Sequence, residues 1–150
     1  MRVSVRAVRT DDWTQMWPLL VGMGGVRGEE EDQTHTRFQR LADDPAWLII
    51  VADDGQRLDG YAAAQDYGDH LRAGKEGRVA RLHDVYVVPT SRNAGVGRLL
   101  MDGVVKWASS RVRYLQWQAH ESRSAPFYQK LGYQGQPCPQ PDYPDFGIKF

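Results

Sequence analysis

The stretch Val85-Tyr86-Val87-Val88-Pro89-Thr90-Ser91-Arg92-Asn93-Ala94-Gly95-Val96-Gly97, continuing as Arg98-Leu99-Leu100-Met101, decides the fold. An apolar, β-branched strand stops at a proline, a short turn follows, and a glycine pair opens a helix over Gly97 to Ser109. Leu100, Val104, Trp107 and Ala108 fall on one face of that helix, the stripe of a helix packed on a sheet. A turn of this kind leaves a row of backbone N–H groups unpaired at a helix N-terminus, where the helix dipole adds partial positive charge. Such a site binds a pyrophosphate. Two other phosphate loops do not fit. A Walker loop needs Gly-Lys-Ser/Thr, and Gly97 is followed by Arg98-Leu99. A Rossmann fingerprint needs a small residue at position 100, which is leucine.

On the N-terminal side, Val3 to Val8 alternates at period two and predicts a strand. Thr10 or Asp11 is expected to cap a helix carrying Trp13, Trp17 and Leu20. Gly22 to Gly28 is too rich in glycine for helix or strand and leads into Glu29-Glu30-Glu31-Asp32, read as a mobile acidic loop. Phe38, Leu41 and Ala42 predict a second helix ending before Pro45. Trp47 to Ala52 is an apolar strand, Asp53-Asp54-Gly55 a hairpin turn, and Gly60 to Tyr67 the antiparallel partner. A polar stretch from Gly68 to Gly77 precedes the long strand Arg78 to Val88. Beyond the decisive helix, Tyr114 to Trp117 is a strand. Ser124 is expected to cap a short helix with Pro126 in its first turn and Gly132 at its end. Gly147 to Phe150 is expected to form a terminal edge strand. Antiparallel strands first and a parallel crossover later predict an α+β fold with a mixed sheet.

At 150 residues the chain reads as a single domain, 1–150, able to bury about two-thirds of its unfolded surface. Lys+Arg and Asp+Glu both number 19, so nothing basic argues for nucleic acid. One cysteine, Cys138, allows no intrachain disulfide and points to a reducing compartment, taken as the cytoplasm. No apolar run approaches the ~20 residues of a membrane span. The four histidines show no metal-ligand spacing, so no metal is expected, and Cys138, between two prolines, has no cationic neighbour to activate it.

A second block, Phe127-Tyr128-Gln129-Lys130-Leu131-Gly132-Tyr133, completes the pattern. Together with Arg92, Gly95 and Gly97 it resembles the GCN5-related N-acetyltransferase (GNAT) superfamily, over nearly the whole chain in element order and most specifically from about residue 82 to 133. The resemblance implies a three-layer α/β/α arrangement around a mostly antiparallel sheet. It also implies a splay between the two central strands, here Arg78 to Val88 and Tyr114 to Gln118. The implied donor is acetyl-CoA, a co-substrate bound at Arg92, Asn93, Ala94, Gly95, Val96, Gly97 and Arg98, whose pyrophosphate the successive backbone N–H groups from Ala94 onward would wrap. Its pantetheine arm would pair with unpaired backbone groups of Val85, Tyr86 and Val87, and one backbone N–H there would face the thioester oxygen. Many members bind the arm through an asparagine seven residues before the tyrosine, where this chain has Glu121, and Ser124 takes the small position four before it.

The resemblance assigns Tyr128 as the acid that protonates the departing thiolate. A phenol with a pKa near ~10 can donate to that thiolate at small cost. The attacking ammonium must lose a proton first. Polyamine acetyltransferases of the family read Leu-Glu-Asp where this chain reads Leu82-His83-Asp84, so His83 or Asp84 is the candidate base. Strand alternation places those two on opposite faces, leaving one toward the cleft. The expected activity is direct acetyl transfer, in a ternary complex, to a primary amine of a small molecule. The acidic loop would attract a cationic acceptor. A protein N-acetyltransferase for an N-terminus or lysine, and a non-catalytic acyl-CoA-binding module, are the alternatives. The family also suggests a homodimer.

Overall fold

The structure, a computed structural model, describes residues 2–26, 30–136, 142, 144 and 146–150. These residues form two compact units, one ending at Trp117 and one beginning at Gln118. The first unit holds a five-stranded sheet in the order β1-β2-β3-β4-β5, with β1 Ser4–Ala7, β2 Trp47–Asp53, β3 Leu58–Asp66, β4 Val79–Val87 and β5 Tyr114–Gln116. The first four strands pair antiparallel and β5 runs parallel to β4, so the mixed sheet follows from the sequence pattern. Helices α1 (Trp13–Met23) and α2 (Glu31–Ala42) cover one face, and α3 (Val96–Ser109) covers the other.

Alternation along the strands explains both layers. Val51, Tyr61 and Ala63 join Met16, Leu19 and Phe38 in a core beneath α1 and α2, with Trp47, Ile49, Tyr86 and Val88 packed at its margin. The intervening residues Ile50, Ala52, Ala62 and Ala64 are buried too, and α3 presents Val96, Leu100, Met101, Val104 and Ala108 as its buried stripe. Small residues on β3 let the helix approach the sheet closely.

Several sequence expectations change. Neither Thr10 nor Asp11 caps α1. A short 3₁₀ turn, Thr10–Asp12, runs straight into the helix, and buried Asp12 accepts from the Arg9 amide and from Arg6. That Arg6 guanidinium, held 2.9 Å away, keeps the Asp12 carboxyl below its usual pKa. Helix α1 continues through Gly22 to Met23, and a glycine stands at position 22 where Tyr86 fills the space beside the helix. A Cβ at Gly22 would meet the Tyr86 hydroxyl and lie 2.7 Å from its Cζ. Glu31 and Asp32 belong to the first turn of α2 rather than to a loop, where carboxylates favour the positive helix end. Glu29 and Gly28 lie outside the described residues, as does Cys138.

The hairpin turn is as expected. Asp54 Oδ1 accepts from the amides of Gln56 and Arg57, and Gly55 takes φ +94°. In the second unit, α4 spans Ala125–Lys130 and ends at Gly132, which takes φ +100°. Ser124 is its N-cap by position but makes no side-chain cap. Its hydroxyl accepts from the His120 amide instead, while the His120 carbonyl gathers the amides of Arg123, Ser124 and Ala125. Gly147 to Phe150 forms no strand, and Ile148 and Phe150 are exposed.

Candidate active site

The site begins where β4 ends. After Val87 a 3₁₀ turn, Pro89–Ser91, brings the chain to Arg92. Asn93 then adopts φ +64° and Gly95 φ +86°, two left-handed residues within three positions. Asparagine tolerates that conformation because its short polar side chain bonds locally, and glycine because it has no Cβ. The two reversals aim the chain into α3 with Gly95 as N-cap. No side chain caps the helix, and the amides of Val96, Gly97 and Arg98 lie outside its internal ladder. Nothing lies within 4 Å of a Cβ placed on Gly95, so the turn is open on that side. An anion could approach the backbone there at hydrogen-bonding distance.

Arg92 does not project from this turn. Its Nε donates to the Val87 carbonyl at 2.8 Å, and its guanidinium lies over the Tyr86 ring, 5.6 Å from the centroid. It therefore ties the turn to the end of β4 and contributes charge beside the open amides.

The ladder between β4 and β5 pairs only Val79↔Tyr114, Ala80↔Leu115 and Arg81↔Gln116. From Leu82 to Val87 the β5 edge of β4 has no strand partner in that ladder. The Val88 amide donates to the Asp59 carbonyl, so alternation in the antiparallel ladder makes Tyr86 and Tyr61 a mutually bonded pair. Tyr86 thus spends its backbone groups on β3. Of the three residues expected to offer unpaired groups, only Val85 and Val87 turn theirs to the open edge, and the Val87 carbonyl already accepts from Arg92.

The largest departure lies at the two candidate bases. Ala63 pairs with Asp84 but Ala64 pairs with Leu82, so His83 is the extra residue of a β-bulge. Alternation breaks there, and both side chains emerge on the face covered by α1 and α2. The Asp84 carboxylate accepts from the Tyr61 hydroxyl at 2.9 Å. His83 Nε2 lies 3.1 Å from Gln65 Oε1, and its ring stacks on Trp47 at 5.1 Å with 19° between planes. Tyr61, Gln65 and Trp47 share that one face, so the prediction of opposite faces is overturned.

These surroundings also set protonation. Burial and the neighbouring Asp84 carboxylate push the Tyr61 hydroxyl well above its ordinary value, so it remains a donor to Asp84. His83 is pulled below the ordinary imidazole value because Trp47 and the strand remove water from part of the ring. Asp84 opposes this shift and Arg81 adds to it. A neutral imidazole at neutral pH can take up a proton.

Tyr128, Ser124 and Glu121 lie in the second unit. Tyr128 is half-buried on α4, with its ring edge-on to Phe127 at 4.9 Å, and Glu121 is exposed in the turn before the helix. Gly22, Trp47, Tyr61 and Gln65 surround the candidate residues of the first unit, and sequence reading did not single them out. Gln65 and Tyr61 sit in a strand with no motif, and only the three-dimensional pairing reveals them.

A mixed five-stranded sheet with helices on both faces, in which β4 passes through a glycine turn into α3, is a fold of the acetyltransferase class. The chain belongs to the Acetyltransferase (GNAT) family, whose family model matches residues 8–133. It is an N-acetyltransferase. Over 112 residues it is 33% identical to an aminoglycoside N(6')-acetyltransferase type 1 of Klebsiella aerogenes, a match covering 71% of each chain. Its fold is similar to glucosamine-6-phosphate N-acetyltransferase from Arabidopsis thaliana, with TM-score 0.75, 18% identity and coverage of 97% of this chain and 100% of the other. It is also similar to the aminoglycoside 6'-N-acetyltransferase AAC(6')-Ih from Acinetobacter baumannii, with TM-score 0.74, 16% identity and coverage of 99% and 97%. Among the described residues no helix is long and apolar enough to cross a membrane.

Proposed function

We propose that the protein transfers an acetyl group from acetyl-CoA to a primary amine of a small molecule, directly and within a ternary complex. The observation that carries this reading is the open left-handed turn at Gly95 with the uncapped amides of Val96, Gly97 and Arg98 behind it. Pyrophosphate oxygens are the ligand that such a cluster of N–H dipoles suits. The pantetheine arm runs along the β5 edge of β4, taking its strand-like hydrogen bonds from Val85 and Val87. A backbone N–H of that edge meets the thioester oxygen as it gains charge.

The attacking amine arrives as an ammonium, and His83, held neutral, takes its proton. The free amine then adds to the thioester carbonyl. As the tetrahedral intermediate collapses, the C–S bond breaks, Tyr128 protonates the leaving sulfur, and the amide nitrogen gives up its second proton to the tyrosinate so formed or to solvent. The roles of Tyr128, Ser124 and Glu121 rest on the resemblance of their segment to the family block. Because the family match runs through both compact units, we read residues 1–150 as one acetyltransferase domain. Similarity to an aminoglycoside acetyltransferase makes amino-sugar amines the first acceptors to test. The exposed Phe146, Ile148 and Phe150 support self-association, which sedimentation checks.

The decisive test is thiol release from acetyl-CoA against a panel of aminoglycosides, polyamines and amino-acid amines. Turnover with at least one small amine is expected. If acetyl-CoA binds yet no amine accelerates thiol release, the chain is an acyl-CoA-binding module instead. Turnover confined to peptides would place it among protein acetyltransferases.

A further inference from the structure

The bulge at His83 does more than move a side chain to another face. It sets the imidazole between two side chains from different strands, Trp47 of β2 against its face and Gln65 of β3 at its Nε2 edge. Trp47 and Gln65 are themselves directly paired across the β2–β3 ladder, so the two walls of this slot are fixed relative to each other. A ring stacked on one side and hydrogen-bonded at one nitrogen has one orientation, and its other nitrogen points away from the slot.

We propose that Gln65 is a positioning residue for His83: its side-chain carbonyl accepts the Nε2 proton, leaving Nδ1 as the nitrogen that receives the proton of the acceptor amine. This rests on the reading of His83 as the base under Proposed function. The Nε2–H bond persists in both protonation states, so the slot does not have to rearrange when Nδ1 is protonated. The imidazolium formed is then held by a stronger, charge-assisted bond to Gln65. The charged groups beside the ring, Arg81 and Asp84, both lie on β4. The facing side chains from β2 and β3, Trp47 and Gln65, carry no charge, so a charge introduced at position 65 should be read directly by His83.

The experiment follows the ring ¹⁵N resonances of His83 against pH in the whole protein, assigned with His83→Gln among the four histidines. It is set beside the pH profile of kcat/KM. Wild type should show Nδ1 as the bare nitrogen of the neutral ring. Gln65→Glu places a carboxylate against Nε2 and should raise the His83 midpoint by about one pH unit, carrying the acidic limb of kcat/KM up by the same step, to about tenfold lower proton concentration. Gln65→Leu should lower the midpoint, because the imidazolium loses its acceptor. Thermal melts of both variants check that the sheet is intact. A bare Nε2 in wild type, or a midpoint that Gln65→Glu leaves unmoved, overturns the proposal. A midpoint that moves while the kinetic limb stays put upholds the slot and removes His83 from the reaction.

Discussion

Gly95→Asn separates the two reasons for a glycine at the head of α3. The first reason is conformational: Gly95 sits at φ +86°, where a Cβ costs roughly 1–2 kcal/mol for most residues. Asparagine is the least strained replacement, and Asn93 already adopts φ +64° two positions earlier in the same turn. The second reason is space. Nothing of the protein lies within 4 Å of the new Cβ, so the side chain meets no neighbour and occupies only the volume through which a ligand reaches the amides. Folding stability should therefore fall by no more than about 1 kcal/mol, a shift of ~2–4 °C in melting temperature for a chain of this size. Binding should suffer far more. Loss of even one charge-assisted hydrogen bond to the pyrophosphate costs ~1.5–3 kcal/mol, which is roughly ten- to more than a hundredfold in Kd. Calorimetric titration with acetyl-CoA beside a thermal melt gives both numbers from one preparation. A variant that melts like wild type and binds acetyl-CoA with undiminished affinity would refute the placement of the pyrophosphate on this turn.

Three other perturbations probe separate parts of the argument. Tyr128→Phe should lower kcat by about a hundredfold, the lower end of general-acid effects, with little change in acetyl-CoA affinity or melting temperature; steady-state kinetics with a binding titration checks it. Asp66 is buried and accepts from Arg78 at 2.6 Å, from Arg111 at 3.3 Å and from the Gly68 amide, which hold its carboxyl below the usual value. Its stabilisation is present above the unfolded-state pKa near ~3.9 and is lost as pH falls through the lower folded-state value. Asp66→Asn should therefore cost about 2 kcal/mol at pH 7, reduced from the full cost of breaking a buried pair because both arginines are partly hydrated. It should also flatten the loss of stability below pH 4, as denaturant melts across pH will show. Gly22→Ala gains about 1 kcal/mol in helix propensity but forces a methyl against Tyr86, so it should destabilise by ~1–2 kcal/mol net. Combining it with Tyr86→Ala should restore the propensity gain, and the double-mutant cycle in urea measures the contact.

The strand–turn–helix at residues 85–109 was legible because each of its signals is local: β-branched residues, a proline, glycines where φ turns positive, then a helical stripe. The antiparallel pair β2–β3 followed from the same kind of signal, with Asp53-Asp54-Gly55 marking its turn. What escaped the sequence was set by contacts between distant residues. Gly22 is a packing residue within a helix, not a breaker, because Tyr86, far along the chain, fills the side where a Cβ would stand. Glu31 and Asp32 read as a charge run and turned out to be the favourable start of α2. The bulge at His83 carries no glycine or proline to announce it. It exists only as a shift between Ala63 and Ala64 in their pairing with β4, and it brings Gln65 and Tyr61 to the candidate bases.

That inserted residue gives β4 two parities. Up to position 82 the even-numbered side chains, Ala80 and Leu82, belong with α3. From 84 onward the even-numbered ones, Asp84 and Tyr86, belong with α1 and α2. Deleting His83 would make the strand regular again and leave both halves facing the helices they serve, because only the extra residue of the pairing would be lost. Any attempt to transplant this stretch of β4 onto a relative must therefore carry the insertion along with the side chains. A graft matched residue for residue to an unbulged strand would deliver half of its chemistry to the wrong layer of the protein.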